Sequence, residues 1–181
     1  DCESPSDYAD EYIAIRPSIK NHLINFHNII KPIHIIYNGI DRERFNPDKR
    51  VIVKRDIPKV VLPCTIDPLR EKFINYYINK ANNGEINLYI YGLECGANIQ
   101  RNANNTWINS PVWDIENMIA DCDFVAGILL GRVNLEANSM RIPSKIHNPN
   151  NPEETQDFLL SEQEFEEKHN IKNVAKQLIN I

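Results

Sequence analysis

The stretch GILLGRVNLEAN, residues 127–138, places a glutamate beside the apolar side of an expected helix. At about 100° per residue, Val133, Ala137 and Met140 share one face of that helix. Glu136 lies three residues after Val133 and four before Met140, so it borders the same face. Because carboxylates are seldom buried without a partner, two interpretations are open. Glu136 either reaches solvent at the edge of the apolar face or accepts hydrogen bonds from a ligand such as a ribose diol.

Charged and small residues near two helix starts could bind an anion. Gly131 and Arg132 open the helix that carries Glu136, and the N–H groups and partial positive charge of a helix N-terminus favour phosphate. Lys72 falls in the first turns of an earlier expected helix, where a cation opposes the helix dipole. It is either a solvated lysine or a point charge that neutralises a diphosphate.

Strand-like and helix-like segments alternate along the chain and would position these residues. The apolar runs KVVLPC, INLYIYG and DFVAGILL predict strands, and helical patterns follow the first and third of them. A shorter strand–helix–strand pattern precedes them at residues 12–37. Such alternation predicts an α/β fold with a doubly wound, Rossmann-like parallel sheet and right-handed crossovers.

Composition excludes several classes of protein. The 181 residues carry a net charge of −5, whereas a nucleic-acid-binding protein normally has a basic face. The longest apolar runs are far shorter than the roughly 18 residues that span a bilayer, and the four cysteines are widely scattered, so we expect a cytoplasmic protein. His22, His27 and His34 share no helical face, and the sequence indicates no carboxylate partner for them, so no metal site is expected.

Three segments resemble one enzyme family. The segment IIYNGIDRERFNP resembles the interdomain segment of GT-B glycosyltransferases of the retaining family four type, with matches at Asn38, Gly39, Asp41, Phe45 and Pro47. The segment GRVNLEAN resembles the second half of the E-x7-E signature of that family. The segment TIDPLREK resembles the arginine-to-lysine element that opens its donor domain. The order and spacing of all three segments also fit.

The resemblance implies a domain organisation. The chain would be the C-terminal half of a GT-B fold and a piece of a longer enzyme. Residues 1–46 would be the end of the N-terminal acceptor domain or an interdomain segment, residues 47–58 a linker, and residues 59–181 the domain that binds the nucleotide-sugar donor. The catalytic residues are expected in the N-terminal domain.

The resemblance also implies the roles of individual residues. Glu136 would bind the ribose, Gly131 and Arg132 would bring the helix N-terminus to the diphosphate, and Lys72 would pair with a phosphate. Thr65 stands near the position of the family's arginine. The reaction would transfer a sugar, as a hexosyltransferase does, to a glycan, lipid or other acceptor. It would need no metal or other cofactor. The basic run between residues 49 and 59 could also touch the inner face of a membrane.

The sequence departs from the family at two positions. The first glutamate of E-x7-E falls on Ile128, and Thr65 replaces the arginine. Asp123 or Glu94 could compensate for the missing carboxylate. The departures leave open an alternative in which the domain is a catalytically degenerate scaffold or regulatory binding module. A sugar-nucleotide epimerase shares the fold, but acid–base residues for that chemistry are not evident.

Overall fold

The structure is a computed structural model that describes residues 5–180. Its contacts divide the chain into two compact units. One unit combines the residues up to Asp41 with those from Ser161 onward, and the other comprises Arg42–Leu160. This division differs from the boundaries at residues 46 and 59 that the sequence suggests, because the C-terminal helices join the N-terminal segment. We call the units the terminal unit and the central unit.

The terminal unit contains a small parallel sheet and three helices. Its core is formed by Ala14, Leu23 and Ile33. Pro17 opens the first helix, where its missing N–H costs nothing. The elements are β1 (Tyr12–Ala14), α1 (Pro17–Asn25), β2 (Ile33–Ile35), α5 (Glu162–His169) and α6 (Ile171–Ile179).

The Asn-Gly-Ile part of the family-like motif connects the two ends of the terminal unit. The carbonyl of Asn38 accepts a hydrogen bond from Nδ1 of His169 at 3.0 Å. The N–H of Ile40 donates to the carbonyl of His169 at 2.7 Å. A Cβ at Gly39 would lie 3.1 Å from Cα of Ile171, so a larger residue would be tight there. These three residues therefore have a structural role at the junction of α5 and α6.

The central unit is a six-stranded sheet in the order β5-β4-β3-β6-β7-β8, which is a Rossmann order. The predicted α/β, doubly wound, Rossmann-like fold is confirmed. Only the last strand is antiparallel, because the short loop between β7 and β8 allows a hairpin but no crossover. The elements are β3 (Lys59–Pro63), α2 (Glu71–Asn82), β4 (Asn87–Tyr91), β5 (Thr106–Asn109), α3 (Ile115–Ile119), β6 (Phe124–Ile128), α4 (Arg132–Ser139), β7 (Ser144–His147) and β8 (Thr155–Phe158).

Helices lie on both faces of this sheet. Phe73 and Tyr77 of α2 belong to the same apolar cluster as Val60 and Leu62 of β3. On the other face, α4 approaches β6 at Gly127, where an added Cβ would lie 3.2 Å from side-chain atoms of Val133 and Asn134. The glycine thus allows α4 to pack directly on the strand that precedes it.

Two helices are shorter than their sequence patterns suggest. Asp67 accepts a hydrogen bond from the N–H of Arg70 at 3.0 Å and caps a turn, and α2 begins only at Glu71. The helical spacing of Ile19, Leu23, Phe26 and Ile30 predicts a helix that reaches Ile30. α1 ends at Asn25, so Ile30 lies outside the helix and is exposed. Among the helices formed by residues 5–180, none is long and apolar enough to cross a membrane.

Candidate functional site

The strand order creates a crevice at the carboxyl ends of β3 and β6. These parallel strands are neighbours, and the sheet continues outward from them in opposite directions. Open α/β sheets bind ligands beyond the carboxyl ends of the strands at such a switch point. Thr65 follows β3, and Gly131 follows β6. This edge of the sheet therefore carries both groups of predicted residues: Thr65 and Lys72 after β3, and Gly131, Arg132 and Glu136 after β6.

Glu136 is buried, with 9% of its surface exposed. Its carboxylate accepts a hydrogen bond from Nε of Arg132, one helical turn earlier, at 2.7 Å. Burial raises the pKa of Glu136, although the Arg132 hydrogen bond and charge act in the opposite direction. The side chain of Arg132 itself is 65% exposed. A buried carboxylate therefore sits at the crevice with a partner that can move into solvent.

The start of α4 is organised by a buried asparagine. Oδ1 of Asn134 accepts a hydrogen bond from the N–H of Gly131 at 3.3 Å, and Nδ2 donates to the carbonyl of Lys145 at 3.1 Å. The expectation that the helix start offers free N–H groups therefore needs a correction at Gly131, whose N–H already has a partner. The N–H groups of Arg132 and Val133 follow in the first turn, where a helix supplies no internal acceptor.

A cavity of about 670 Å³ opens at the carboxyl ends of β6 and β7. Leu129 lines it and has a φ of 55°, a left-handed conformation that is strained for a leucine. The N–H of Leu129 donates to the carbonyl of His147 at 3.1 Å, which fixes this turn. Strained residues of this kind cluster at binding sites. The cavity borders the turn before α4 through Leu129, and the rest of its lining comes from β7, β8 and the loop between them.

The two predicted residues after β3 lie on the surface. Thr65 and Lys72 are exposed, and Lys72 makes no hydrogen bond or ion pair with any other residue in the range 5–180. Arg70 is a further cation of this edge, which the sequence patterns did not single out. Its guanidinium is held by the carboxylate of Asp67, and its charge lowers the pKa of Cys64, which burial nevertheless raises to about 12.

A second charged cluster borders Glu136 and was missed by sequence reasoning. Nε of Arg44 donates to the buried carboxylate of Glu116 at 2.9 Å. The guanidinium carbon of Arg44 also lies 5.4 Å from the ring centroid of Trp113. The charges of Arg44 and Glu116 both act on the pKa of Glu136. Glu116 stands in the first turn of a short helix, where a glutamate is expected merely to favour the helix dipole.

The sequence suggests that Trp113 is a packing residue, and this prediction is wrong. Its side chain is 89% exposed in the loop that follows β5. Large aromatic residues seldom lie so open on a surface without a partner. The indole therefore offers an exposed ring surface at the same edge of the sheet as Glu136, beside the guanidinium of Arg44.

His147 ends β7 and is fully enclosed. Its Nδ1 donates to the carbonyl of Pro152 at 2.6 Å, and its Nε2 therefore accepts from the hydroxyl of Tyr77 at 2.8 Å. Burial lowers the pKa of His147 and raises that of Tyr77. The two bonds fix one neutral tautomer of the imidazole. His147 thus serves as a structural support beneath the cavity.

Ile128 occupies the position of the first glutamate of E-x7-E, and Asp123 and Glu94 were the candidates to replace its carboxylate. The three residues lie in different parts of the central unit. Ile128 is buried among the apolar residues that face α2. Asp123 lies before β6, at the opposite end of the strand from Gly131, and its carboxylate accepts from the N–H of Lys59 at 2.7 Å. It therefore cannot take the place of the missing carboxylate. Glu94 follows β4 at the carboxyl edge and pairs with Arg101 at 2.6 Å.

Comparisons with known proteins identify the architecture. No family model matches the chain, and no curated protein matches it. Among solved structures, the chain is similar to a glycosyltransferase from Rickettsia africae ESF-5, with a TM-score of 0.59 and 16% identity. The fold is glycosyltransferase-like. The match covers 75% of this chain and 44% of the Rickettsia chain, so the present chain spans less than half of that protein.

The chemistry that this edge could perform is binding of a phosphorylated, hydroxyl-bearing ligand. It combines a buried carboxylate, a helix N-terminus, exposed cations and an exposed indole ring. No group of three or more His, Cys, Asp or Glu side chains suited to a metal ion occurs within residues 5–180.

Proposed function

We propose that the central unit binds the nucleotide-diphospho-sugar donor of a retaining glycosyltransferase of the GT-B, family four type. The observation that carries this proposal is the buried Glu136 carboxylate at the switch point of a Rossmann sheet. Carboxylates in this position are suited to the two hydroxyls of a ribose. The glycosyltransferase-like fold supports the same assignment.

The electrostatics of Glu136 favour a binding role. Because burial raises its pKa despite the nearby guanidinium, its negative charge is disfavoured in the folded protein. Perturbed groups of this kind are concentrated at functional sites. When a donor binds, its ribose hydroxyls replace the Arg132 guanidinium on Glu136. The exposed Arg132 side chain then turns to the diphosphate.

The nucleobase end of the donor has a suitable surface in Trp113. Its indole is almost fully exposed and lies against Arg44, which is within electrostatic range of Glu136. A base that stacks on an aromatic side chain gains about 1–3 kcal/mol. We therefore place the base against Trp113 and the ribose at Glu136.

The diphosphate would be neutralised by cations and helix N–H groups, with no metal. Lys72, Arg70 and Arg132 surround the carboxyl edge, and Thr65 adds a hydroxyl group. Positive charges and dipoles directed at a leaving diphosphate stabilise the charge that develops during transfer. Arg70 supplies a guanidinium in place of the family's arginine, whose position is occupied here by Thr65. Groups that act on the acceptor, a glycan or a lipid, would come from outside the central unit.

A second candidate function is a donor-binding scaffold without catalytic activity. It is favoured by Ile128, whose side chain belongs to the apolar core. The family has at this position a glutamate that contacts the sugar. In this case nucleotide binding persists and sugar transfer is absent. Turnover assays of the parent protein with an acceptor separate the two functions.

The proposal is tested by isothermal titration calorimetry with UDP, GDP and ADP. We expect one of the three to bind, and Glu136→Ala to weaken its binding at least about tenfold, by 1.4 kcal/mol or more. Glu85→Ala is the matched control, because Glu85 is also paired with a cation, Lys80 at 2.9 Å, but precedes β4 at the other end of the sheet. Equal affinities in the two variants would refute the assignment of Glu136.

A further inference from the structure

A row of two valines and two aromatic residues crosses the face of the central sheet on which α4 lies. Val125, Val61, Tyr89 and Trp107 are aligned across β6, β3, β4 and β5. Residues aligned in this way point to the same face of a sheet. The two valines are completely buried, whereas Trp107 on the edge strand is 44% exposed. This face is therefore covered at β3 and β6 and open at β5.

The two rings on the open half form a flat stack. Their centroids are 4.6 Å apart, and the planes differ by only 15°. Nζ of Lys59 lies 5.0 Å from the centroid of Tyr89 on the inner side of the stack. Since Trp107 uses one ring face against Tyr89 and sits on the outermost strand, its other face is directed away from the stack. Among residues 5–180, no other ring or cation is stacked on that face of Trp107.

The polar groups along this surface are also free. Within residues 5–180, the hydroxyls of Tyr89 and Tyr91 and the indole N–H of Trp107 make no hydrogen bond. The charges beside them are neutralised, since Lys59 and Arg55 both pair with Asp121. The surface thus combines aromatic faces, free O–H and N–H groups and no unpaired charge.

We propose that the Tyr89–Trp107 surface binds a neutral oligosaccharide. One face of a sugar ring carries C–H groups that stack on the negative face of an aromatic ring, and its hydroxyls match the free phenol and indole groups. A nucleic acid would need unpaired cations, whereas the cations beside this surface, Lys59 and Arg55, are paired with Asp121. The site is separate from the donor site, because its residues lie within β4 and β5 and not beyond their carboxyl ends.

The test uses the full 181-residue chain and neutral hexasaccharides of glucose, mannose, xylose and N-acetylglucosamine. The sequence contains only two tryptophans, so Trp113→Phe leaves Trp107 as the sole tryptophan. We expect one sugar to change the fluorescence of this variant at concentrations up to about 10 mM. Calorimetry then compares Trp107→Ala with Trp113→Ala, which removes the other exposed indole.

Loss of at least about tenfold in sugar affinity in Trp107→Ala, with retention in Trp113→Ala and Glu136→Ala, is the expected result. Tyr89→Phe keeps the ring stack and removes only a hydroxyl, so it reports on the surface even if Trp107→Ala destabilises the chain. We expect it to weaken binding by several-fold. Absence of binding to all four sugars, or equal binding in Trp107→Ala and Tyr89→Phe, would overturn the proposal. Because Glu136→Ala is a separate arm, failure here is distinguishable from failure of donor binding.

Discussion

At the scale of single residues, Glu136 poses the main energetic question of this chain. Its carboxylate is buried and paired with Arg132, and yet its pKa is raised by burial. A buried ion pair often contributes no net stability, because desolvation offsets the attraction between the charges. Folding alone therefore does not explain why a charge occupies this position, and the proposed binding of a hydroxyl-bearing ligand would explain it.

Glu136→Gln separates stability from binding. A folded-state pKa above the unfolded value means that the folded protein retains a proton longer, so stability falls as the pH rises through that window. An amide does not titrate in this range, so Glu136→Gln removes this dependence of stability on pH. At pH 7 we expect an unfolding free energy equal to that of the original chain or up to about 1 kcal/mol higher. Urea unfolding between pH 4 and pH 7, about the range in which carboxyl groups titrate, measures the unfolding free energy of both proteins. A large loss of stability would mean that the ion pair supports the fold.

His147 has the opposite dependence on pH. Because burial lowers its pKa, the unfolded chain binds a proton that the folded chain excludes. Stability is therefore present above pH ~6.5 and is lost as the pH falls toward the lowered folded value. We expect His147→Asn to cost about 2 kcal/mol at pH 7, through lost bonds and packing, and to reduce the acid dependence. An unchanged slope of stability against pH below 6.5, the reference value for histidine, would contradict this account.

At the scale of elements, the ends of the central strands depend on glycine. A Cβ at Gly92, directly after β4, would lie 1.7 Å from the carbonyl oxygen of Cys64, directly after β3. Real structures do not tolerate this distance, so the two strand ends would have to separate. At Gly131, an added Cβ would have no contact closer than 3.9 Å. The two glycines therefore have different purposes.

Alanine substitutions distinguish these purposes. We expect Gly92→Ala to lower the unfolding free energy by about 3 kcal/mol, because overpacking against backbone forces a rearrangement. Gly131→Ala should cost no more than about 1 kcal/mol as a changed N-cap, but it should weaken nucleotide binding by crowding the helix start. Thermal unfolding and calorimetry measure the two effects. Similar losses of stability in both variants would show that Gly131 is also needed for packing.

Much of the fold was predictable from sequence. The buried strands β3, β4 and β6 are apolar runs in the sequence, and the helices that pack on them show apolar residues at helical spacing. The edge strands β5 and β8 were not evident, because each is four residues long and rich in polar side chains. The joining of residues 161–180 to the N-terminal segment was also hidden, since it depends on hydrogen bonds between distant residues such as Ile40 and His169.

The candidate site was predictable only in part. Residues after strand ends, such as Thr65 and Gly131, could be assigned to one edge once a parallel sheet was expected. The pairing of Arg44 with Glu116 could not be predicted. Arg44 lies in a loop and Glu116 in a short helix, and the two residues are 72 positions apart in the chain. Asn134 reads as an ordinary polar helix residue, and only the structure reveals its bonds to Gly131 and Lys145.

At the scale of the whole molecule, the chain combines two compact units. The terminal unit draws on both ends of the chain, and the central unit is continuous. The candidate donor site lies entirely in the central unit. Nucleotide binding should therefore be a property of the present chain, although the chain covers less than half of the Rickettsia glycosyltransferase it is similar to.

The central claim is that a nucleoside diphosphate binds at the carboxyl ends of β3 and β6. Its most direct test is a nitrogen-15 amide NMR titration of the 181-residue chain with UDP, GDP and ADP, each up to about 5 mM. We predict saturable shifts for the amides of Thr65, Arg132 and Val133 and for the indole of Trp113 with one of the three. Saturable shifts confined to other residues, or none at this concentration, would contradict the claim.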